Sequence, residues 1–322
     1  MSGAPVVDCL RVSVTDRCNL RCIYCMPAEG LRCAPRESLL RFEEIAAVVR
    51  VLRERFGLRT VRLTGGDPLV RVQITHLVGL LARTGVEDLA LTTNGQRLAE
   101  LAAPLREAGI GRVNISLDSL DAARFARLTR GGRLDETLAG IEAARQAGFR
   151  AIKLNTVVLR GENDAEVGDL VRFALARALE IRFLELMAIG VSVGRHAAWF
   201  VSSEEVLARL KTEFRMTRAD DMFDPRTRIH LAQDAHGRQT RVGFIAPETQ
   251  PFCAGCRRLR LTSDGRLLGC LMHSGGVSLM PVLRRADGPD EAALAEAIQA
   301  ALATKPALRA AASDQFMAAV GG

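Results

Sequence analysis

The sequence predicts an α/β fold, a partial (β/α)6 barrel of the TIM type followed by a smaller α+β extension. Six strand-length apolar runs alternate with amphipathic helical stretches up to about residue 187. Residues with unusual chemistry follow the carboxyl ends of these runs, where parallel barrels place their active sites. After Gly190 the alternation gives way to shorter, less regular pieces, which predicts the extension.

The six runs have the length and composition of strands buried in a parallel sheet. They are residues 10–14, 60–64, 89–92, 113–117, 152–158 and 181–186. Helical patterns lie between them, and Gly57, Gly109 and Gly148 stand where helix C-caps belong. These patterns cover residues 42–56, 74–82, 134–147 and 164–178. The result is a βα repeat, and a barrel is favoured over an open sheet because the unusual residues collect on one rim.

Beyond residue 190 the pattern changes to a helix over 203–210, four short strand-like pieces and a last helix over 290–302. The pieces lie around residues 228–231, 241–245, 258–262 and 267–271. Asp264 and Gly265, between the last two pieces, are typical of a hairpin turn. We therefore expect a barrel over residues 1–190 and a C-terminal region over 191–322.

Composition is that of a globular protein, with 322 residues of which 48% are hydrophobic. No apolar run approaches the roughly 20 residues of a membrane span, and the N-terminus lacks the pattern of a signal peptide, so we expect a cytoplasmic protein without a membrane partner. The net charge of +7 is spread over stretches that also carry acids, which disfavours a nucleic-acid partner. Of the 44 basic residues only Lys153, Lys211 and Lys305 are lysines.

Cysteine usage indicates metal or redox chemistry, because eight cysteines in a reducing compartment do not form a disulfide framework. Cys18, Cys22 and Cys25 follow the first predicted strand. Three close thiolates can hold an iron–sulfur cluster and leave one iron open to a small molecule. A zinc site or a ferredoxin-type cluster needs a fourth ligand, and no histidine lies nearer in sequence than His76.

A second set of three cysteines occurs in the extension, Cys253, Cys256 and Cys270, with the predicted hairpin between the last two. Two interpretations stay open at this point. The set is a zinc knuckle that His273 completes, or it is a second iron–sulfur cluster whose open iron can hold substrate.

Buried charge gives a further indication. Lys153 interrupts an apolar run in a predicted interior strand, where an unpaired ammonium is costly, so we expect it to face an anion. Arg62 and Arg182 stand in similar runs. Arg258 and Arg260 lie two residues apart on a strand and therefore point to the same face.

The spacing of the first cysteines with Tyr24 between the last two, and the turn Gly65-Gly66-Asp67-Pro68, resemble the radical S-adenosylmethionine superfamily. Its members usually have Glu where this chain has Asp67. Residues 8–27, the second cysteine set with its Arg-Leu-Arg segment, and the terminal Gly-Gly pair are similar to the GTP 3',8-cyclases of molybdenum cofactor biosynthesis over essentially the whole chain.

This resemblance implies two [4Fe-4S] clusters and S-adenosylmethionine as cofactors. The first cluster would generate an adenosyl radical that takes the 3' hydrogen of GTP, after which C3' attacks C8 of guanine. The second cluster would hold the guanine across the barrel mouth. The product would be (8S)-3',8-cyclo-7,8-dihydroguanosine 5'-triphosphate, the first intermediate of the cofactor pathway.

The resemblance also implies the residues of the site. The cluster ligands would be the six cysteines of the two sets. S-adenosylmethionine would contact Tyr24, Gly66, Asp67, Ser116 and Met187, the acid at the amino group. GTP would contact Arg11, Arg62, Thr92, Lys153, Arg258 and Arg260. The terminal Gly321 and Gly322 would reach into the active site and be needed for activity. Cys9 and Cys33 would be ordinary thiols.

Two other functions stay open. A radical S-adenosylmethionine peptide maturase also carries an auxiliary cluster, but is expected to have more C-terminal cysteines and no Arg-x-Arg segment. A zinc-containing nucleic-acid-binding protein would bind DNA or RNA in a strongly salt-dependent way. For the cyclase we expect GTP as substrate, an electron-donor protein that the sequence does not identify, and cyclic pyranopterin monophosphate synthase as the next enzyme. The chain is expected to be a monomer or a homodimer.

Overall fold

A computed structural model describes residues 7–219, 227–253, 255–273, 275–286, 288, 290–306 and 310–320. Within these ranges twelve strands form one continuous sheet. The strands are β1 (Cys9–Ser13), β2 (Thr60–Thr64), β3 (Asp88–Thr93), β4 (Arg112–Ser116), β5 (Ala151–Val157), β6 (Glu180–Leu184), β7 (Arg215–Ala219), β8 (Arg228–Gln233), β9 (Gln239–Ile245), β10 (Arg258–Leu261), β11 (Arg266–Leu268) and β12 (Val277–Ser278).

The first six strands form the predicted partial barrel. Each of β1 to β5 pairs in parallel with the next strand along the chain, and every connection carries at least one helix. These helices are α1 (Phe42–Phe56), α2 (Ile74–Arg83), α3 (Leu98–Ala108), α4 (Ala122–Thr129), α5 (Leu134–Gln146) and α6 (Val167–Ala176). The predicted α/β class and the βα repeat are therefore confirmed.

Helix α1 shows how the sequence builds this outer layer. Ile45, Val48, Val49 and Leu52 recur at helical spacing and are buried in the main core. Gly57 ends the helix with a φ of 70°, a left-handed conformation that favours glycine. One face of the helix thus covers the sheet while the other meets solvent.

The C-terminal strands extend the sheet from both edges. On one edge β10 pairs in parallel with β1, and β11 and β12 follow as antiparallel neighbours. On the other edge β9 pairs in parallel with β6, and β8 and β7 follow. The predicted extension is therefore continuous with the barrel sheet, and the proposed division at residue 190 stays a prediction.

The remaining helices are short except for two. They are α7 (His196–Trp199), α8 (Ser203–Leu210), α9 (Met280–Leu283), α10 (Glu291–Ala303) and α11 (Met317–Val320). In the ranges that the structure describes, no helix combines the length and the apolar character that crossing a bilayer requires.

Several elements are absent from the sequence prediction, among them α3, α4, β7 and β12. Helix α3 contains Pro104, which normally breaks a helix, yet Leu98, Ala102 and Leu105 are buried at helical spacing. Strand β7 has no apolar alternation and is held instead by its antiparallel pairing with β8. The predicted helix over 164–178 begins with a 3-10 turn, Asp164–Glu166, before α6.

Candidate active site

Both cysteine sets line one cavity of ≈360 Å³ inside the barrel. This volume lies within the range of small-molecule sites. The first set, Cys18, Cys22 and Cys25, follows the carboxyl end of β1. In the second set, Cys253 and Cys256 precede the amino end of β10, and Cys270 follows β11.

The two sets lie at opposite ends of the strands. Because β10 runs parallel to β1, with Arg258 opposite Cys9, the amino end of β10 is the end remote from the first cysteine loop. β1 has five residues, so roughly 15 Å of strand separates the two ends. The expectation that the second set faces the first across the barrel mouth is therefore wrong, since the parallel pairing places it at the other end.

Several hydrogen bonds shape the first cysteine loop. The Cys25 amide donates to the Cys22 carbonyl at 2.9 Å, and the Leu20 amide donates to Cys18 Sγ at 3.4 Å. The Tyr24 hydroxyl donates to Asp118 Oδ2 at 2.6 Å. Asp118 follows β4, so this bond fixes the aromatic ring beside the carboxyl end of a second strand.

Gly65 and Gly66 allow the turn after β2 to press against the cysteine loop. A Cβ on Gly66 would lie 2.2 Å from the Arg17 carbonyl oxygen, and one on Gly65, whose φ is +151°, would lie 2.6 Å from that of Thr15. The Gly66 and Asp67 amides donate to these same two carbonyls at 2.8 and 2.9 Å. Only glycine fits at these two positions, and the two hydrogen bonds fix the turn to the cysteine loop.

The Asp67 carboxylate is occupied by the protein itself. It accepts from the Leu69 amide at 2.9 Å, from Thr93 Oγ1 at 2.8 Å and from the Asn94 amide at 2.7 Å. Burial raises the pKa of this carboxyl, and the hydrogen bonds from Asn94, Leu69 and Thr93 oppose that effect. Asp67 lines the cavity and joins the turn to the end of β3. Its contact with an ammonium stays a prediction.

The electrostatics of the first set fit an iron–sulfur cluster. Burial raises the pKa of Cys18 to about 11 and that of Cys25 to about 12. It also raises the pKa of Cys22 well above the usual range, with Cys25 adding to the effect. These thiols need bound positive charge to become thiolates. In the described ranges no three His, Cys, Asp or Glu side chains converge as the ligands of one ion do. Each set supplies three thiols, one fewer than a structural zinc site requires.

The second set repeats a feature of the first. The Met272 amide donates to Cys270 Sγ at 3.4 Å, as the Leu20 amide does to Cys18 two residues before it. Burial alone would raise the pKa of Cys256, but the Arg258 amide and the charges of Arg258 and Lys305 lower it. His273, the proposed fourth zinc ligand, is not among the residues that line this cavity.

Five arginines of the described residues line the cavity, and four of them stand together on β1, β2 and β10. Arg11 is opposite Arg62 on one side and Arg260 on the other, and Arg258 is opposite Cys9. Burial and the charges of Arg260, Arg62 and Arg258 lower the pKa of Arg11. Burial and the charge of Arg258 lower that of Arg260 to about 9. Guanidiniums that repel one another in this way favour a polyanionic ligand with several oxygens.

Lys153 lies outside this group. It does not line the cavity, and its Nζ lies 3.1 Å from Glu180 Oε1, with 14% of the lysine side chain exposed. Arg182, which does line the cavity, shares Glu180 with it. The anion that the sequence requires for Lys153 is therefore a carboxylate of the next strand. Contact of Lys153 with GTP stays a prediction.

The other expected site residues line the same cavity. They are Tyr24, Gly66, Thr92, Ser116 and Met187. Gly321 and Gly322 lie outside the described residues. The helix before them, α11, contributes Met317 and Ala318 to the lining, and the Val320 carbonyl accepts from Arg260 Nη1 at 3.3 Å. Cys9 also lines the cavity, and Cys33 is exposed.

Glu185 was missed as a site residue, although it follows β6 directly. Only 4% of it is exposed. Its carboxylate accepts from the amides of Ser203, Glu248 and Thr249 and from the Thr249 hydroxyl at 2.5 to 3.0 Å. It therefore fixes the segment that leads from β9 to Cys253. An acid directly after the apolar pair Phe183-Leu184 was the only signal of this role in the sequence.

In comparisons with known proteins, the two cysteine sets fall within two different family models. The family model "Radical SAM superfamily" matches residues 12–174, and "Molybdenum Cofactor Synthesis C" matches residues 179–310. A GTP 3',8-cyclase of Pseudomonas putida is 50% identical over 306 residues, which are 93% of this chain and 89% of that protein. GTP 3',8-cyclase 1 of Pseudomonas aeruginosa is 48% identical over 94% of this chain and 90% of its own length.

A solved structure shows the same fold. Streptococcus suis SuiB bound to S-adenosylmethionine superposes with a TM-score of 0.57 at 16% identity. The match covers 85% of this chain and 62% of that chain, so this chain spans less than two thirds of its length. At this identity the likeness concerns the fold alone.

Proposed function

This chain belongs to the GTP 3',8-cyclase family of the radical SAM superfamily, and we propose that it closes a bond between C3' and C8 of GTP. The product is (8S)-3',8-cyclo-7,8-dihydroguanosine 5'-triphosphate. The C3' hydrogen leaves with the adenosyl group of S-adenosylmethionine, and the guanine ring gains one electron and one proton. The observation that carries the proposal is a single cavity with a three-cysteine set at each end and four arginines between them.

The end of the cavity at the first cysteine set is suited to S-adenosylmethionine. Tyr24 is fixed there by Asp118, Gly66 exposes backbone beside Cys18, and Ser116 ends β4. Met187 follows β6 and lines the same space. These groups orient the cofactor and exclude water around it, while the three thiolates leave one iron of their cluster open to it.

The middle and far end of the cavity are suited to GTP. Arg11, Arg62, Arg258 and Arg260 supply forked donors for phosphate oxygens. The second cysteine set leaves one iron open to the guanine. When bound, the two clusters and S-adenosylmethionine supply the one-electron chemistry of the reaction. The protein residues bind the nucleotide along the strands and orient C3' toward the cofactor.

The two alternative functions have less support. A peptide maturase offers no reason for four arginines that repel one another inside the cavity. A mononuclear structural zinc site needs a fourth ligand, and His273, the candidate at the second set, does not line the cavity. Relatives that are about half identical over nearly the whole chain are named as cyclases.

We infer a cytoplasmic enzyme, since eight free thiols and GTP belong to a reducing compartment. An electron-donor protein supplies the reductant, and cyclic pyranopterin monophosphate synthase consumes the product. We also propose that Gly321 and Gly322 act in the active site and are needed for activity. The support is that Arg260, which lines the cavity, donates to the carbonyl of the preceding Val320 at 3.3 Å.

The test is turnover without oxygen. The chain, reconstituted to about eight irons, is incubated with S-adenosylmethionine, GTP and dithionite. We expect 5'-deoxyadenosine to form only with GTP and the cyclic product to appear with it. Equal 5'-deoxyadenosine without GTP, and unchanged GTP, would overturn the proposal.

A pair of variants tests the role of the arginines. Arg258→Ala with Arg260→Ala should keep both clusters and lose GTP turnover. The control is Arg257→Ala, because that neighbour lies at the surface with 57% of its side chain exposed. Loss of the second cluster in the double variant would show that the pair is structural.

A further inference from the structure

Lys305 is one of only three lysines in a chain of 322 residues, and it lies beside the second cysteine set. It follows the C-terminal end of α10 and lines the cavity. Its Nζ donates to the Arg258 carbonyl at 2.6 Å and to the Gly269 carbonyl at 2.9 Å. The other 41 basic residues are arginines, so a lysine at this position points to a geometry that a guanidinium does not meet.

The two carbonyls flank the cluster ligands. Arg258 stands two residues after Cys256, and Gly269 directly precedes Cys270. These residues lie where the β10–β11 hairpin opens, since the ladder ends with Arg260 opposite Leu268. Lys305 bridges the two segments beyond the last ladder pair, next to Cys256 and Cys270 in sequence.

Gly269 packs directly against the side chain of Lys305. A Cβ at Gly269 would lie 2.8 Å from Lys305 Cγ and 3.2 Å from the Ala301 carbonyl oxygen. The glycine therefore leaves room for the lysine stem to cross the hairpin. A lysine carries three donors on one nitrogen, so two carbonyls still leave one donor and a positive charge close to the cysteines.

We propose that Lys305 is a positioning residue for the second cluster. It holds the segments that carry Cys256 and Cys270 at one separation, and it places a positive charge beside their sulfurs. The inference rests on the second cluster of the proposed function. Hydrogen bonds and charge around the ligands are what control how firmly such clusters are held.

The test uses the full chain with Cys18, Cys22 and Cys25 replaced by Ala, so that iron reports the second cluster alone. Lys305→Met keeps the stem and removes charge and donors, and Lys211→Met is the matched control at an exposed lysine. After anaerobic reconstitution, iron release to a chelator is followed by absorbance. We expect release about 10-fold faster in Lys305→Met, and unchanged in Lys211→Met.

A second variant separates position from charge. Gly269→Ala keeps the ammonium but displaces its stem, so it should also release iron faster than the parent. Circular dichroism of the cluster-free chains shows whether each variant folds. Equal release from the parent and from a folded Lys305→Met would overturn this inference alone. A parent that retains no cluster would overturn the second cluster itself.

Discussion

Arg11 lies between Arg62 and Arg260 across two strand pairings, so folding brings three guanidiniums together. The cost of this arrangement is visible in the pKa of Arg11, which burial and the neighbouring arginines lower. A buried charge with like neighbours destabilises a fold and is retained where a ligand of opposite charge binds. Stability and GTP affinity should therefore respond in opposite directions when this charge is removed.

We predict that Arg11→Met weakens GTP binding roughly 10- to 100-fold, about the effect of losing one charge-assisted hydrogen bond. The unfolding free energy of the cluster-free chain should not fall, because a repulsion is removed. Calorimetric titration and urea unfolding measure the two effects. Arg59→Met is the control, since Arg59 is exposed and pairs with Glu87. A clear loss of stability without a loss of GTP affinity would contradict the account.

Asp118 provides a prediction of pH dependence. Burial raises its pKa to about 6, although the Tyr24 hydroxyl and the Val157 amide oppose this. The native state therefore holds a proton on Asp118 more tightly than the unfolded state does. The protonated carboxyl makes its full contribution to the free energy of unfolding below about pH 4, and this contribution is lost as pH rises through 6.

Replacing Asp118 by Asn removes this titration. From about pH 4 to pH 7, the unfolding free energy of the wild-type chain should fall relative to Asp118→Asn by roughly 2 to 3 kcal/mol. Urea unfolding of the cluster-free chains at several pH values measures the difference. A difference that stays constant with pH would show that the carboxyl titrates normally.

Among the elements, those with a strong period were predictable. β2, α1 and α8 have the predicted bounds, because each has a clear apolar period and a clear end signal, such as Gly57 after α1. α3 and β7 were not, because Pro104 contradicts a helix and β7 lacks an apolar face. Such elements are stabilised by contacts with residues that are distant in sequence, and the local sequence pattern does not indicate these contacts.

The segment that leads into α11 packs against Gly190. Gly190 has a φ of +53°, and a Cβ there would lie 2.8 Å from Phe316 Cδ1 and 2.9 Å from the Gln315 carbonyl oxygen. Its amide also donates to the Ser313 carbonyl at 2.9 Å. The segment before α11 therefore packs on a position that excludes a side chain.

We predict that Gly190→Ala loosens this segment, since strain and contact together amount to about 1 to 2 kcal/mol. Carboxypeptidase should then release Phe316 roughly 5- to 30-fold faster. Gly194→Ala is the control, because no atom lies within 4 Å of a Cβ there. Equal rates in the two variants would mean that Gly190 does not hold the tail.

At the scale of the whole molecule, the parallel pairing of β10 with β1 determines where the two cysteine sets lie relative to each other. It places the second cysteine set at the end of the strands remote from the first and leaves the arginines between. The sequence indicated both sets and the arginines, but it did not indicate this arrangement. Spacing along the chain specifies what a loop can bind, whereas the order of strands in the sheet specifies where the loop lies.

The central claim is that one nucleotide spans this cavity with C3' directed toward the first cysteine set. GTP deuterated at C3' tests it most directly, with mass spectrometry of the 5'-deoxyadenosine formed in a single turnover. The account predicts that 5'-deoxyadenosine gains one deuterium and that the cyclic product lacks it. Unlabelled 5'-deoxyadenosine, formed together with a product that keeps its deuterium at C3', would contradict the account.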